Sequence, residues 1–218
     1  ERALPDLGRN IKCGNSLIGP DYFSGQLIPD DEARHRINPF DWQGEFSEIM
    51  KAGGFDAVIG NPPYVNAWEL FENMPSVRDF INHSGVFQTA DRHWDLYVLF
   101  LERGLQLLRE GGRLSFIIPY SYAIQKYGMA SRTMVLEQHR VESIADLRSV
   151  RVFGKVPVIT IIPVIEKRKP SPQHAIEIRK PGAEATKYHP NSIVLSHRVS
   201  QKLLQSQHEH MLRIDLAD

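Results

Sequence analysis

Apolar residues in this chain form short runs that alternate with longer stripes at helical spacing. The short runs predict strands over residues 55–60, 113–119, 141–147 and 158–167. The run 55–60 lacks strict alternation, which is typical of a strand buried on both faces. The stripes that predict helices occupy residues 44–52, 95–110 and 129–139. Strands that alternate with helices in this way indicate an α/β fold built on a mostly parallel sheet.

Glycine and proline mark the ends of several of these elements. The pairs Gly53-Gly54 and Gly111-Gly112 predict the ends of the first two helices. Pro163 predicts a break in the strand 158–167, because proline donates no hydrogen bond to a neighbouring strand.

The remaining segments are less regular. We expect loops over 18–43 and 65–93, a short strand that enters a turn over 10–17, further strands over 174–180 and 191–196, and a helix-like polar tail.

Composition is that of an ordinary globular protein, with 42% hydrophobic and 24% charged residues. No apolar run reaches the length of a membrane span, so we expect no membrane association. Cys13 is the single cysteine, which fits a reducing, cytoplasmic setting. No group of cysteines and histidines has the spacing of a zinc site, and we expect no metal.

Charge is unevenly distributed although the formal net charge is zero. Residues 1–100 carry 15 acidic and 8 basic side chains, whereas residues 101–218 carry 11 and 18. Within 148–169, six basic residues stand against one acid, Glu166. Such polarity is compatible with one basic face that meets phosphates, and equally with a solvated surface.

The segment Asn61-Pro62-Pro63-Tyr64 directly follows the strand 55–60. Ligands of open α/β sheets bind beyond the carboxyl ends of the strands. The Asn61 side chain offers a carbonyl acceptor, and each proline offers a carbonyl whose direction is stiffened by its ring. Two such acceptors suit one group with two N–H donors, an amino group, and Tyr64 adds a face on which a planar base stacks.

NPPY behind an apolar strand resembles motif IV of the amino-group methyltransferases that use S-adenosylmethionine. The wider match, over about residues 9–167, is to adenine-N6 DNA methyltransferases of restriction–modification systems, the γ class with a TaqI-like layout. IKCGNSL resembles the turn beside the cofactor adenine, and SVRVFGKVPVITIIPVIEK resembles motif VIII, whose aromatic residue contacts the flipped base. The resemblance implies a Rossmann-like methyltransferase sheet with one antiparallel strand.

The same resemblance assigns candidate roles. It implies catalytic places for Asn61, Pro62 and Tyr64, and target-base contacts for Tyr64 and Phe153. It implies cofactor contacts for Asn15, Ser16 and Asn61, although the family often has Asp where Asn15 stands.

The implied reaction acts on double-stranded DNA. The enzyme flips an adenine out of the duplex, and the methyl group passes to N6 without metal or covalent intermediate. Arg151 and Lys155 flank Phe153, where they would contact the DNA backbone. Asp95 is interpreted as a helix N-cap.

The glycine-rich turn and ribose-binding acid of such enzymes do not appear in this sequence. We therefore expect residues 1–170 to be the second half of a catalytic domain, lacking its first strands. Residues 171–218 would be a linker and the start of a target-recognition region. This chain alone would be inactive and bind S-adenosylmethionine poorly, which calorimetry tests. An exposed edge at 55–60 would favour self-association.

Other functions remain open at this point. NPPY also serves methyltransferases that act on protein glutamine or on guanine in RNA. A non-catalytic module that docks DNA or a partner is a further alternative. No nuclease set of paired carboxylates and lysine appears in the chain, although a fused type II restriction endonuclease is compatible with the family.

Overall fold

The computed structural model describes residues 8–24, 30–66, 72, 74–90, 94–154, 156–182, 185 and 187–215. The chain divides into two compact units, Glu1–Met50 and Lys51–Asp218. Within the described ranges, no helix has the length and apolar character that a membrane span needs.

The first unit is helical. Its helices are α1 (Asp31–Ile37) and α2 (Trp42–Glu45), and α3 (Ser47–Lys51) leads into the second unit. Aspartates begin two of them, because the Asp30 and Asp41 side chains accept backbone N–H groups of the first turn. The expectation of a loop over 18–43 is therefore wrong. The expected strand before Asn15 is also not formed, since only an isolated bridge joins Asn15 to Pro39.

The second unit is built on one sheet of seven strands. These are β1 (Phe55–Gly60), β2 (Leu108–Phe116), β3 (Ile118–Pro119), β4 (Arg140–Asp146), β5 (Thr160–Glu166), β6 (Ala175–Pro181) and β7 (Ile193–Ser200). The order is β1-β2-β5-β4-β6-β7, and β3 pairs with β5. Five strands share one direction, while β5 and β7 run antiparallel to them. The predicted α/β fold with a mostly parallel sheet is confirmed, with two antiparallel strands rather than one.

Proline inside β5 does not interrupt that strand. Pro163 pairs with Ile144 of β4, and the register shift in this ladder lies elsewhere, between Val141 and Ser143. On the other side, β2 pairs with β5 at Val164 and beyond, and β3 pairs at Ile161 and Thr160. The interruption lies at Ile117, between β2 and β3. This gap faces Pro163, which has no N–H to donate to a neighbouring strand. The break that was predicted within β5 is therefore found between its neighbours β2 and β3 instead.

Among the described residues, five further α-helices belong to the second unit. They are α4 (Pro75–His83), α5 (Leu96–Leu107), α6 (Ser121–Ile124), α7 (Met129–Gln138) and α8 (Gln201–Gln205). Helix α4 corrects the expectation that 65–93 is wholly irregular. Helix α5 ends three residues before the predicted Glu110, because Leu108 pairs with Phe55 of β1. The Lys167 ammonium donates to the Leu108 carbonyl at 2.6 Å, which helps to satisfy the helix end.

Helix α5 packs closely on the sheet. A Cβ at Gly104 would lie 2.3 Å from the Leu114 side chain of β2, so only glycine permits this approach. Tyr97, Leu101 and Leu105 of α5 are buried and join the core with strand residues such as Leu114 and Ile165. This packing fixes the start of α5, where it meets the loop after β1.

The carboxyl-terminal residues belong to the same compact unit. Strands β6 and β7 extend the sheet, and Leu212 and Ile214 are buried in its core. The unit boundary lies after Met50, so the boundary expected at residue 170 does not separate two compact units. Whether 171–218 also begins a target-recognition region stays a prediction.

Candidate active site

Four loops meet at one edge of the sheet. Strands β1, β3, β4 and β6 run in the same direction, so their carboxyl ends lie at the same edge. The loop after β1 contains Asn61–Tyr64, and the loop after β4 contains Arg151 and Phe153. This is the edge at which open α/β sheets bind ligands.

The loop 61–66 is held at both ends by backbone hydrogen bonds. The Ile117 amide donates to the Gly60 carbonyl at 3.2 Å, where the loop begins. The Leu96 amide donates to the Val65 carbonyl at 3.0 Å, where it ends. Leu96 opens α5, so this bond also satisfies one of the N–H groups left unpaired at a helix start. Between these points Asn61 is exposed and Pro62 is buried.

Tyr64 is fixed by its hydroxyl and by its ring. The hydroxyl donates to the Ile117 carbonyl at 2.9 Å, in the gap between β2 and β3. The ring meets Tyr97 and Phe153 edge to face, with centroids 6.1 and 6.2 Å away. Burial raises the pKa of Tyr64 to about 12, so the phenol stays protonated and keeps its hydrogen bond at neutral pH.

A chain of hydroxyl groups lies behind Tyr64. The Tyr97 and Tyr127 hydroxyls are 2.8 Å apart, and Tyr127 donates to the Ser121 hydroxyl at 3.0 Å. Asp95 stands at the N-cap position of α5, as predicted, but its side chain makes no capping bond. Burial raises the pKa of the Asp95 carboxyl, and a hydrogen bond with Tyr127 opposes that shift. No local sequence pattern pointed to Ile117 or Tyr127, since their bonds to Tyr64 and Tyr97 join residues far apart in the chain.

Phe153 comes from the loop after β4, 92 positions beyond Asn61 in the sequence. Its half-buried ring stands at 76° to that of Tyr64. Arg148 anchors the start of this loop through hydrogen bonds to Asp146, to Asp215 at 2.6 Å and to the Tyr120 hydroxyl. The structure thus brings together the two aromatic rings predicted to contact a target base.

The basic stretch 148–169 is largely engaged within the protein. Arg148 is paired with carboxylates, Lys167 donates to backbone carbonyls, and Arg168 lies 3.5 Å from Glu166. Arg151 is exposed, and Lys155 lies outside the described residues. Of the two residues predicted to meet the DNA backbone, the structure therefore locates one, beside Phe153.

Asn15 and Ser16 belong to the first unit, in a turn that packs on Phe40. A Cβ at Gly14 would lie 2.6 Å from the Phe40 ring, so the turn requires glycine there. The Asn15 side-chain oxygen accepts the Leu17 amide at 3.2 Å. A carbonyl oxygen has two acceptor positions, so one remains for an amino group such as that of adenine. The turn is therefore compatible with the predicted cofactor contact.

The residues at the sheet edge are of the types that suit an amino group on a planar ring. Asn61 is exposed on a loop held at both ends by backbone hydrogen bonds, and the ring of Tyr64, three residues on, is fixed by its hydroxyl bond. Fixed acceptors that favour developing positive charge on nitrogen contribute to catalysis without reorganisation.

The sheet and the loop Asn61–Tyr64 at its carboxyl edge define a methyltransferase fold of the Rossmann-like type. The sequence profile of the Eco57I restriction-modification methylase family matches residues 3–153. That is more than half of the chain, and the chain belongs to this family.

Two curated relatives show the same kinship. The type II restriction enzyme and methyltransferase RM.Eco57I of Escherichia coli is 29% identical over 164 residues, covering 75% of this chain and 15% of the relative. The type II methyltransferase M.XhoI of Xanthomonas vasicola is 38% identical over 117 residues, covering 53% of this chain and 20% of the relative. The chain thus spans a fifth or less of each of these relatives.

A solved structure supports the fold. The type IIG restriction endonuclease BpuSI aligns with a TM-score of 0.50 and 19% identity, over 70% of this chain and 20% of that one. At this identity the likeness concerns the fold alone.

Proposed function

We propose that the protein transfers a methyl group from S-adenosylmethionine to N6 of adenine in double-stranded DNA, as part of a restriction–modification enzyme. The observation that carries the proposal is the exposed Asn61 on an anchored loop beside the Tyr64–Phe153 ring pair. Membership of the Eco57I family supports the reaction class. The choice of adenine as acceptor rests on the resemblance to adenine-N6 DNA methyltransferases, and the Tyr64–Phe153 ring pair fits a flipped base.

The protein's own residues would bind and orient the base. The Asn61 side-chain oxygen and the Pro62 carbonyl would accept the two N6 hydrogens, which favours a pyramidal nitrogen with an available lone pair. Tyr64 would stack on the base, since its hydroxyl bond to Ile117 fixes the ring. The Tyr64 and Phe153 rings contact each other edge to face, with centroids 6.2 Å apart, so we infer that Phe153 swings aside when a base enters.

S-adenosylmethionine supplies the electrophilic methyl group when it is bound. The family resemblance implies contacts with its adenine for Asn15 and Ser16, and it implies a cofactor contact for Asn61 as well. The remaining acceptor position on Asn15 and the tight turn at Gly14 fit that role.

The test is Asn61→Ala in the polypeptide expressed at its natural length. We expect methylation of duplex DNA to fall by at least about 100-fold, because an aligned acceptor is lost where charge develops. Binding of the duplex should stay within twofold of the wild type. N6-methyladenine is measured by mass spectrometry of the digested DNA.

Gln138→Ala is the matched control, because Gln138 is an exposed amide at the far end of α7. Unchanged methylation in Asn61→Ala would overturn the assigned chemistry. Methylation of a release factor or of RNA, with none of duplex DNA, would favour the alternative acceptors. Duplex binding without any methyl transfer by the wild type would favour a docking module.

Further parts of the proposal concern the whole protein. We propose that a nuclease accompanies the methyltransferase, as in the relative named for both activities, and that the enzyme acts in the cytoplasm. Among the described strands β1 pairs only with β2, and Ile59 is 86% exposed. We therefore expect self-association of the isolated chain. Analytical ultracentrifugation that finds only monomer at 100 μM, taken as about the upper working concentration, would remove that expectation.

A further inference from the structure

The loop between β6 and β7, residues 182–192, is a fourth element at the ligand edge of the sheet. Strand β6 runs parallel to β4, so both strands end at the same edge. The Gly182 amide donates to the Ser192 carbonyl at 2.9 Å, which closes the base of the loop. No motif in the sequence pointed to this loop.

This loop touches the loop that carries Phe153. Lys187 and Arg151 form an isolated parallel β-bridge. Arg151 lies two residues before Phe153, whose ring meets Tyr64. Lys187 is thereby placed next to the aromatic pair, although it is 34 residues beyond Phe153 in the sequence.

The nearby carboxylates are already paired with other cations. Arg148 and Lys180 both approach Asp215, at 2.6 and 3.6 Å, and both approach Asp146. Within the part of the chain that the structure describes, neither Arg151 nor Lys187 has an ion pair, and both are exposed. Among the described residues, these two cations near the aromatic pair therefore have no acidic partner.

We propose that Arg151 and Lys187 form one phosphate-binding surface, which holds the DNA strand beside the flipped base. The proposal rests on the proposed function and adds the β6–β7 loop to its DNA interface. The backbone bridge holds the two residues side by side, and both carry long, exposed cationic side chains. The two side chains can therefore reach neighbouring phosphates of one DNA strand.

The experiment compares Lys187→Ala, Arg151→Ala and the double variant with the wild type at natural length. Binding of a 20-base-pair duplex, about two helical turns, is measured by fluorescence anisotropy over a range of salt concentrations. Each single variant should weaken binding severalfold and reduce the slope of log K against log salt by about 0.9, the value for one phosphate contact. The loss should be equal on duplexes with and without the target site, because phosphates carry no sequence information.

Lys202→Ala is the control. Lys202 is also exposed, but it follows β7, whose end pairs with the start of β6 at the opposite edge of the sheet. We expect its salt slope to equal that of the wild type. Thermal unfolding checks that every variant is folded.

The possible outcomes separate the two proposals. If the wild type methylates duplex DNA and Lys187→Ala keeps the full salt slope, the phosphate surface is wrong and the proposed function stands. A reduced slope that appears equally in Lys202→Ala also overturns the surface, because the effect is then general. A wild type that does not bind duplex DNA, or that binds RNA more tightly, overturns both.

Discussion

The loop 61–66 and the carboxyl-terminal segment 208–215 are both ordered without being regular helix or strand. The first is tied to its sheet neighbours by Ile117 and Leu96, and it leaves Asn61 exposed. The second is held mainly by a distant side chain, Arg132, and by two buried apolar residues. Backbone carbonyls are the acceptors in both cases. The difference is that one loop is fixed so as to present a side chain, while the other completes the core.

Arg132 is the main polar link to that segment. It is fully buried, and it donates to the carbonyls of Tyr122 and Gln125 near α6 and of Glu209 and His210 in the segment. A polar tail that looked separate in the sequence is therefore integral to the second unit. Because the Arg132 side chain binds four carbonyls, we expect a large loss of stability when it is replaced.

The largest expected effect is that of Arg132→Met. The substitution leaves four carbonyls without this donor, so we expect the free energy of unfolding to fall by about 3–5 kcal/mol. Urea unfolding followed by circular dichroism measures it. Arg213→Met, an exposed arginine of the same segment, is the control and should change stability by less than about 0.5 kcal/mol. If the two variants were equally stable, Arg132 would not be the anchor.

An intermediate loss of stability is expected when the pH is lowered. It concerns His139, which contacts the carboxyl-terminal part of the chain through Gln201. Burial, with a smaller contribution from Lys167, lowers the pKa of His139 to about 4. Its Nδ1 is buried without a partner, and its carbonyl accepts from Gln201. As the pH falls, the His139 imidazole is protonated in the unfolded chain before it is protonated in the folded protein. The stability contribution of neutral His139 is therefore complete above about pH 6.5 and is lost towards pH 4.

The loss should amount to about 2–3 kcal/mol of unfolding free energy between pH 7 and pH 4. It is measured by urea unfolding at a series of pH values. His139→Gln should lose this part of the pH dependence, whereas His35→Gln, at an exposed position, should keep it. An identical pH profile for wild type and His139→Gln would contradict the assignment.

The smallest expected effect is that of Tyr64→Phe in the loop 61–66. The change removes one hydrogen bond, to Ile117, and keeps the ring, so stability should fall by about 1 kcal/mol. Methylation should decline less than in Tyr64→Ala, which also removes the stacking face worth about 1–3 kcal/mol. Steady-state kinetics with duplex DNA compares the two variants. Equal losses would mean that the hydroxyl, and not the ring, is the important part.

Local sequence patterns were sufficient for the elements that local chemistry controls. Strand β1 was predicted with its observed bounds, and the α/β alternation predicted the sheet. The end of α5 was not predictable in the same way, because Arg109 and Glu110 favour helix, whereas pairing of the flanking Leu108 and Arg113 with β1 makes them a bulged part of strand β2. Long-range pairing outweighed propensity there.

The candidate site also has a part that local sequence predicts and a part that depends on long-range contacts. By itself the sequence determined the loop chemistry: a carbonyl acceptor at Asn61, two stiff prolines and an aromatic ring directly after an apolar strand. The expectation that this strand is buried on both faces is wrong, because the residues of β1 are half-buried or exposed. Only the tertiary structure decided which distant groups stand beside it, namely Ile117 on the Tyr64 hydroxyl, Phe153 on its ring and Lys187 next to Arg151. The physical reason is that residue types and short spacings are properties of a short segment, whereas contacts between loops depend on the order and direction of strands far apart in the chain.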